Sequence, residues 1–367
     1  MAGTVQQIKE HSITAITALG KKPVYFLTMA NTETLVVKGD DPGAAKGNAA
    51  ESIHWSSKLM KNVNNRSVNT KPLTEEELEV FVMHVKCFFK EESDEYYWVK
   101  DEVRKRKVWV KMPYVGDLTD ASILEKKDAT AKQVKAFMAR FLDEAAWFDL
   151  GKVIAVDIFN GTSDRVDIMN RQGQGELVNF GNVMFHNGRV IGLDTFDPAS
   201  QFNNLVKVGA FQELKILVDT QKQKTFAEAC VKSFGTAAKN GFRKHSSGVN
   251  KFTLMQPNGT TTSLMVEGME NMYLPYAQSL ADGIAAGAQA LRQYLQGKAI
   301  KYSQQQTRVR SNVQHAGVRA NIPRPLQVPI VQPQQPPIPQ QQIVFVPPKP
   351  FKTIPEGIKK RMNFLGW

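Results

Sequence analysis

The sequence predicts an α+β protein of two lobes, a small β-rich one followed by a larger, mainly helical one, with a polar site between them. Three observations point there. Residues 12–40 hold three short β-type runs separated by turns, helical patterns dominate after Pro113, and a polar, loop-rich stretch at 157–197 interrupts the helices.

The runs His11–Leu19, Val24–Met29 and Thr34–Gly39 read as strands, with turns at Gly20–Pro23 and Ala30–Glu33. A helix is expected over 48–61, where Ile53, Trp55, Leu59 and Met60 share part of one face. Thr74 followed by three glutamates marks a second helix start, with Thr74 as N-cap and the acids favourable in the first turn. Residues 96–99 and 108–112 read as a hairpin around the charged stretch 101–107. Val134, Phe137, Met138, Phe141, Leu142 and Ala145 recur at helical spacing, so one amphipathic helix is expected over 130–148. The apolar run Val153–Val156 reads as a strand, and helices resume over 206–218, 226–239 and 276–295. Lobe boundaries follow at 1–111 and 112–300, with 301–367 as a tail.

The formal net charge of +12 suggests nucleic acid until it is located. From Lys298 onward there are eleven Lys or Arg against one acid, Glu356, so ten of those twelve charges belong to the tail. Its Pro- and Gln-rich composition predicts disorder or polyproline II, while the final residues, Ile358 to Trp367, are apolar enough to dock. The Pro-x-x-Pro matches from Pro333 to Pro350 fit a polyproline-recognising partner or a plain linker. No apolar run spans a bilayer and no secretory leader is visible, so a cytoplasmic protein is expected, with signal-less export into another cell as the alternative. Cys87 and Cys230 both lie in apolar surroundings and read as buried thiols. Six scattered histidines lack metal-ligand spacing, and no nucleophile-elbow or Cys-x-x-Cys motif occurs.

Four features could carry chemistry. Lys38 ends an apolar strand, and Glu51 on the next helix could pair with it. The strand at 108–112 stops in Met112-Pro-Tyr114-Val115-Gly116, a linker whose backbone groups are free to meet a planar base. Asp164, in the polar loop 157–165, could orient a hydroxyl and accept its proton. Asn182 before one short strand and Asp194 after its hairpin partner could converge on one hard cation, which prefers oxygen ligands.

In this order, these stretches resemble the atypical protein kinases of the actin-fragmin kinase type, relatives of protein and phosphoinositide kinases. The resemblance covers about residues 18–200 and rests on 20–38 with Glu51, 112–116, 160–165 and 181–194. It implies a bilobal protein kinase-like fold, ATP and Mg2+, and transfer of phosphate to a Ser or Thr hydroxyl of a protein. Under it, Gly20 opens the phosphate-covering turn and Met112, Tyr114 and Val115 meet the adenine. Lys38 contacts phosphates, Glu51 anchors Lys38, Asp164 is the base, and Asn182 and Asp194 hold metal. Asn170, six residues after Asp164, competes with Asn182 for the metal.

Three other readings stay open. One is a non-catalytic adaptor, a pseudokinase or an unrelated α+β domain, that presents its Pro-rich tail to partners. Another is AMP transfer on the same scaffold. The weakest is nucleic-acid binding through the basic tail.

Overall fold

The computed structural model describes residues 7–9, 12–19, 23–40, 49–91, 93, 96, 108–124, 126–162, 165–166, 178–193, 211–246, 248–256, 258–319 and 354–367. Gly20, Asp164, Asn170 and Asp194 lie outside the described residues, as does the Glu51 side chain.

The chain opens with the expected antiparallel meander: β1 (Ile13–Ala18), β2 (Val24–Met29) and β3 (Thr34–Asp40). Helix α1 (Ala49–Val63) follows, then β4 (Lys71–Pro72), α2 (Glu75–Phe88) and β5 (Val108–Pro113). Thr74 caps α2 within a full capping box, its side chain accepting from the Glu77 amide while Glu77 accepts from the Thr74 amide. The strand order is β1-β2-β3-β5-β4. The hairpin expected at 96–112 is not what β5 forms: Tyr96 is helical, 97–107 lie outside the described residues, and β5 pairs with β3 on one edge and β4 on the other.

Strand alternation gives this sheet two different faces. Tyr25, Leu27, Leu35, Val37 and Trp109 point to one side and bury against Phe81 and Val85 of α2. On the other side Val110 and Met112 pack with Ile53 of α1, Val68 and Ile191.

The chain continues through β6 (Thr119–Asp120), α3 (Ala131–Arg140), α4 (Glu144–Asn160), β7 (Met184–His186) and β8 (Arg189–Ile191). The strands of this group form a second sheet in the order β6-β7-β8. Next come the short α5 (Phe211–Leu214), α6 (Thr220–His245), the hairpin β9 (Lys251–Met255) and β10 (Thr261–Met265), α7 (Ala277–Arg319) and α8 (Glu356–Phe364). The architecture is thus mixed, with sheet concentrated early and helix late.

Four expectations need correction. The single helix over 130–148 is two helices, because Asp143 caps α4 by accepting from the Ala145 amide at 3.0 Å. Trp147 Nε1 donates to the Phe141 carbonyl at 2.7 Å and fixes the bend. Val153–Val156 is not a strand but the middle of α4, a helix buried from Val153 through Asn160. The tail boundary at 301 falls inside α7, which runs unbroken to Arg319, while 320–353 lie outside the described residues. Cys87 is exposed, whereas Cys230 is buried and its thiol is pushed up to about 12 by desolvation.

Helices α4 and α7 form the centre of the larger core, and their backbones touch through glycine. A Cβ at Gly151 would stand 2.3 Å from the Leu280 carbonyl oxygen, and one at Gly283 would stand 2.2 Å from that of Phe148. No helix among the described residues is long and apolar enough to cross a membrane.

Candidate functional site

The site is built on the C-terminal end of α4. Gly161 caps this helix in the left-handed conformation (φ 73°), and the Thr162 amide donates to the Asp157 carbonyl at 2.9 Å. Arg165, next to the expected base Asp164, has only 2% of its surface exposed. Its guanidinium makes three contacts: Nη1 pairs with the buried Asp157 carboxylate, Nε donates to the Asn182 carbonyl at 2.8 Å, and Nη2 donates to the Leu193 carbonyl at 2.8 Å. The Arg165 carbonyl in turn accepts from the Asn179 amide at 2.9 Å, and Val166 bridges Val178.

Arg165 therefore ties together three chain segments, and each carries or adjoins a candidate site residue. Asp164 precedes Arg165, Asn182 is a direct acceptor, and Asp194 follows Leu193. Asp157 balances the guanidinium charge within the core, so its role is structural. Asn182 itself is partly exposed at the end of a 3-10 turn, Phe180–Asn182.

Lys38 sits in β3 opposite Val24 and Val110, hence on the sheet face that looks toward α1 and β8, and it is half-buried. On that face Val36, Val115, Leu118, Met184 and Leu193 are only partly buried and pack around Val110, Met112 and Ile191. Partly covered apolar side chains from β3, the linker, β7 and the end of β8 thus gather in one cluster. In sequence, Lys38 stands two residues from Val36 and Asn182 two residues from Met184. Sequence reading missed Val36, Leu118, Met184 and Leu193, because apolar residues at strand ends read as ordinary core.

Helix α1 is fixed to this region by its C-terminal turn. Asn64 Nδ2 donates to the Val190 carbonyl at 3.1 Å, the Val68 amide to the Gly192 carbonyl at 3.1 Å, and the Gly192 amide to Ser67 Oγ at 2.8 Å. The helix that carries Glu51 is in this way docked on the strand leading to Asp194.

The buried Lys–Glu pair among the described residues is a different one. Lys111 of β5 pairs with Glu77 of α2 on the opposite sheet face, and Glu77 also accepts from the amides of Ile8 (2.9 Å) and Thr74 (3.0 Å). It locks α2 to the sheet and faces away from Lys38.

Of the expected linker residues, Met112 is buried, whereas Tyr114 is 51% exposed and stacks edge-on against Phe26. Tyr114 and Val115 also line a cavity of about 1070 Å³ whose wall includes Lys61, Arg66, His186 and Arg189 but neither Lys38 nor Asn182. His186 Nδ1 donates to the Gly116 carbonyl at 3.2 Å, closing the linker onto β7. The cavity adjoins the apolar cluster on that face, sharing Val68 and Val115 with it. No group of three or more His, Cys, Asp or Glu side chains able to hold a metal occurs among the described residues.

No protein-family model matches the chain, and none of the curated proteins matches it. Two solved structures of the Golgi casein kinase are similar to it at 14% sequence identity and a TM-score of 0.25. The one with Mn/ADP bound aligns over 76% of this chain and 73% of that one. The other aligns over 74% and 73%.

Proposed function

We propose that this chain is an ATP- and Mg2+-dependent kinase of the atypical protein kinase class, transferring the γ-phosphate to a Ser or Thr hydroxyl of a protein. The observation that carries the reading is the Arg165 clamp. One buried side chain binds the segments bearing Asn182 and Asp194 and follows directly on Asp164. Charge development on phosphate oxygens calls for a cation, a base and oxygen ligands held in fixed relation, which such a clamp supplies.

The residues present fit the nucleotide and its metal. The partly buried Val36, Val115, Leu118, Met184 and Leu193 offer apolar contact for a planar base. Lys38, half-buried on the same sheet face, suits a phosphate group, and the kinase reading gives it Glu51 as anchor and Gly20 in the phosphate-covering turn. In that reading Asn182 and Asp194 would supply oxygen ligands to a hard cation. Magnesium, when bound, would neutralise phosphate charge during transfer. Asp164 takes the proton of the acceptor hydroxyl as the new O–P bond forms and the bond to ADP breaks. The resemblance to actin-fragmin-type kinases in the sequence supports the same assignment of roles.

The test is Mg2+-dependent transfer of label from γ-labelled ATP to the protein itself or to a lysate. The reading expects transfer that disappears in Asp164→Ala and Asp194→Ala while both variants stay folded. Absence of transfer by the wild type, together with no stabilisation by Mg-ATP in a melting experiment, would leave the adaptor reading in its place.

A further inference from the structure

The cavity beside the linker has a wall of one sign. Lys61, Arg66 and Arg189 line it together with His186, and no acidic side chain among the described residues does. The nearest carboxylate, Asp149, accepts from Arg189 Nε at 2.7 Å and stands 3.9 Å from Arg66 Nη1. Among the described residues one carboxylate thus serves two guanidiniums, and the hydrogen bond of Lys61 goes to the neutral Asn65 carbonyl. Within that set two of the three formal positive charges are left unbalanced, and the Arg66 side chain is 48% exposed and so available to solute.

Cations continue along α1. Lys58 and Lys61 follow the imidazole of His54 at i+4 and i+7, on a single helix face. Lys71 of β4 and Lys298 of α7 approach that face closely enough to depress both His54 and Lys58. Burial and these three lysines push His54 down to about 4. Like charges gathered at partly desolvated positions repel one another, a cost that a bound polyanion reverses.

We propose that this cavity is a binding site for a compact, multiply phosphorylated small molecule, held by residues other than Lys38 and Asn182, which the kinase reading gives to the nucleotide phosphates and metal. Its volume of about 1070 Å³ suits a small solute. Arg66 and Arg189 provide planar forks matched to phosphate oxygens, Lys61 a third cation, and the Asn65 and Asn187 amides neutral donors. Because Pro113, Tyr114, Val115 and Gly116 form one side, occupancy stiffens the linker between the first sheet and β6. The inference does not depend on the kinase reading.

The full chain is titrated calorimetrically at constant ionic strength with inorganic tripolyphosphate, inositol hexakisphosphate and sodium sulfate, beside the double variant Lys61→Gln/Arg66→Gln. Arg189 is left intact because it balances buried Asp149. The expected result is saturable binding of at least one phosphorylated probe, none of sulfate, and affinity weaker by about tenfold or more in the double variant. A probe bound equally well by both proteins, no binding of either probe, or binding of single-stranded RNA alone would each overturn the proposal. Mg-ATP stabilisation is measured in parallel on both proteins. Its loss from both with tripolyphosphate binding intact removes the nucleotide reading alone, and the converse removes the anion site alone.

Discussion

Arg165 Nε donates to the Asn182 carbonyl at 2.8 Å, joining two residues seventeen positions apart in the part of the chain where chemistry is expected. The bond matters because the rest of the guanidinium is also committed, to Asp157 and to the Leu193 carbonyl. Arg165→Met would leave the Asp157 carboxylate buried opposite an apolar side chain. The expected loss is about 3–5 kcal/mol of unfolding free energy in urea, and adding Asp157→Leu is expected to recover part of it. Phosphate transfer is expected to vanish in both, since neither restores the bonds to Asn182 and Leu193.

Two lysines of the first sheet should separate stability from chemistry. Lys111→Met strips the buried Glu77 carboxylate of its cation and is expected to cost about 3–5 kcal/mol in urea. Lys38→Met, at a half-buried position on the other face, is expected to leave the urea midpoint near the wild-type value and to abolish the Mg-ATP shift in melting temperature.

The acid limb of stability should report on His54. Its folded pKa of about 4 lies below the ordinary 6.5, so the unfolded chain takes up a proton there that the folded chain refuses. The stability this residue contributes is full above pH 6.5 and is lost as pH falls toward 4. His54→Gln is expected to flatten the pH dependence of the urea midpoint in that window. Lys298→Gln, which removes one of the repelling charges beside Lys58 and Lys71, is expected to raise the His54 pKa measured by NMR.

The last residues of the chain pack onto α4. Trp367 stacks on Phe159 at 5.7 Å between ring centroids, and the buried Arg361 lies over the same ring at 5.8 Å. Ile354, Ile358 and Met362 join the larger core. Truncation after residue 353 is expected to lower the melting temperature and to weaken phosphate transfer, because Phe159 precedes Asn160 at the end of α4. A peptide spanning 354–367, added in trans, is expected to restore part of both.

The legible part of the fold lay where local signals are strong. The first three strands alternate cleanly, and Thr74 with Glu77 forms the capping box its spacing suggests. Val153–Val156 was misread because α4 is buried all round, so it has no polar stripe, and a β-branched run inside a buried helix looks like a buried strand. Asp143 was a readable N-cap, but the apolar spacing running through Phe141 and Leu142 hid it. The proposed order of Lys38, Asp164, Asn182 and Asp194 is read from the sequence alone, which gives no sign of the Arg165 clamp. Arg165 acts mainly on backbone carbonyls, which leave no trace in side-chain identity. The Lys61–Arg66–Arg189 wall was equally hidden, since counting charge by region made the folded part look nearly neutral.

The central claim is that Lys38, Asp164, Asn182 and Asp194 surround the phosphates of a bound nucleotide. A crystal structure of the full chain with a non-hydrolysable ATP analogue and Mn2+ tests it most directly, with anomalous scattering to locate the metal. The account expects the base against Val36, Met184 and Leu193, Lys38 on a phosphate, and metal at about 2.0–2.3 Å from oxygens of Asn182 and Asp194. A nucleotide seated only in the Lys61–Arg66–Arg189 cavity, with no metal at Asn182, would contradict it.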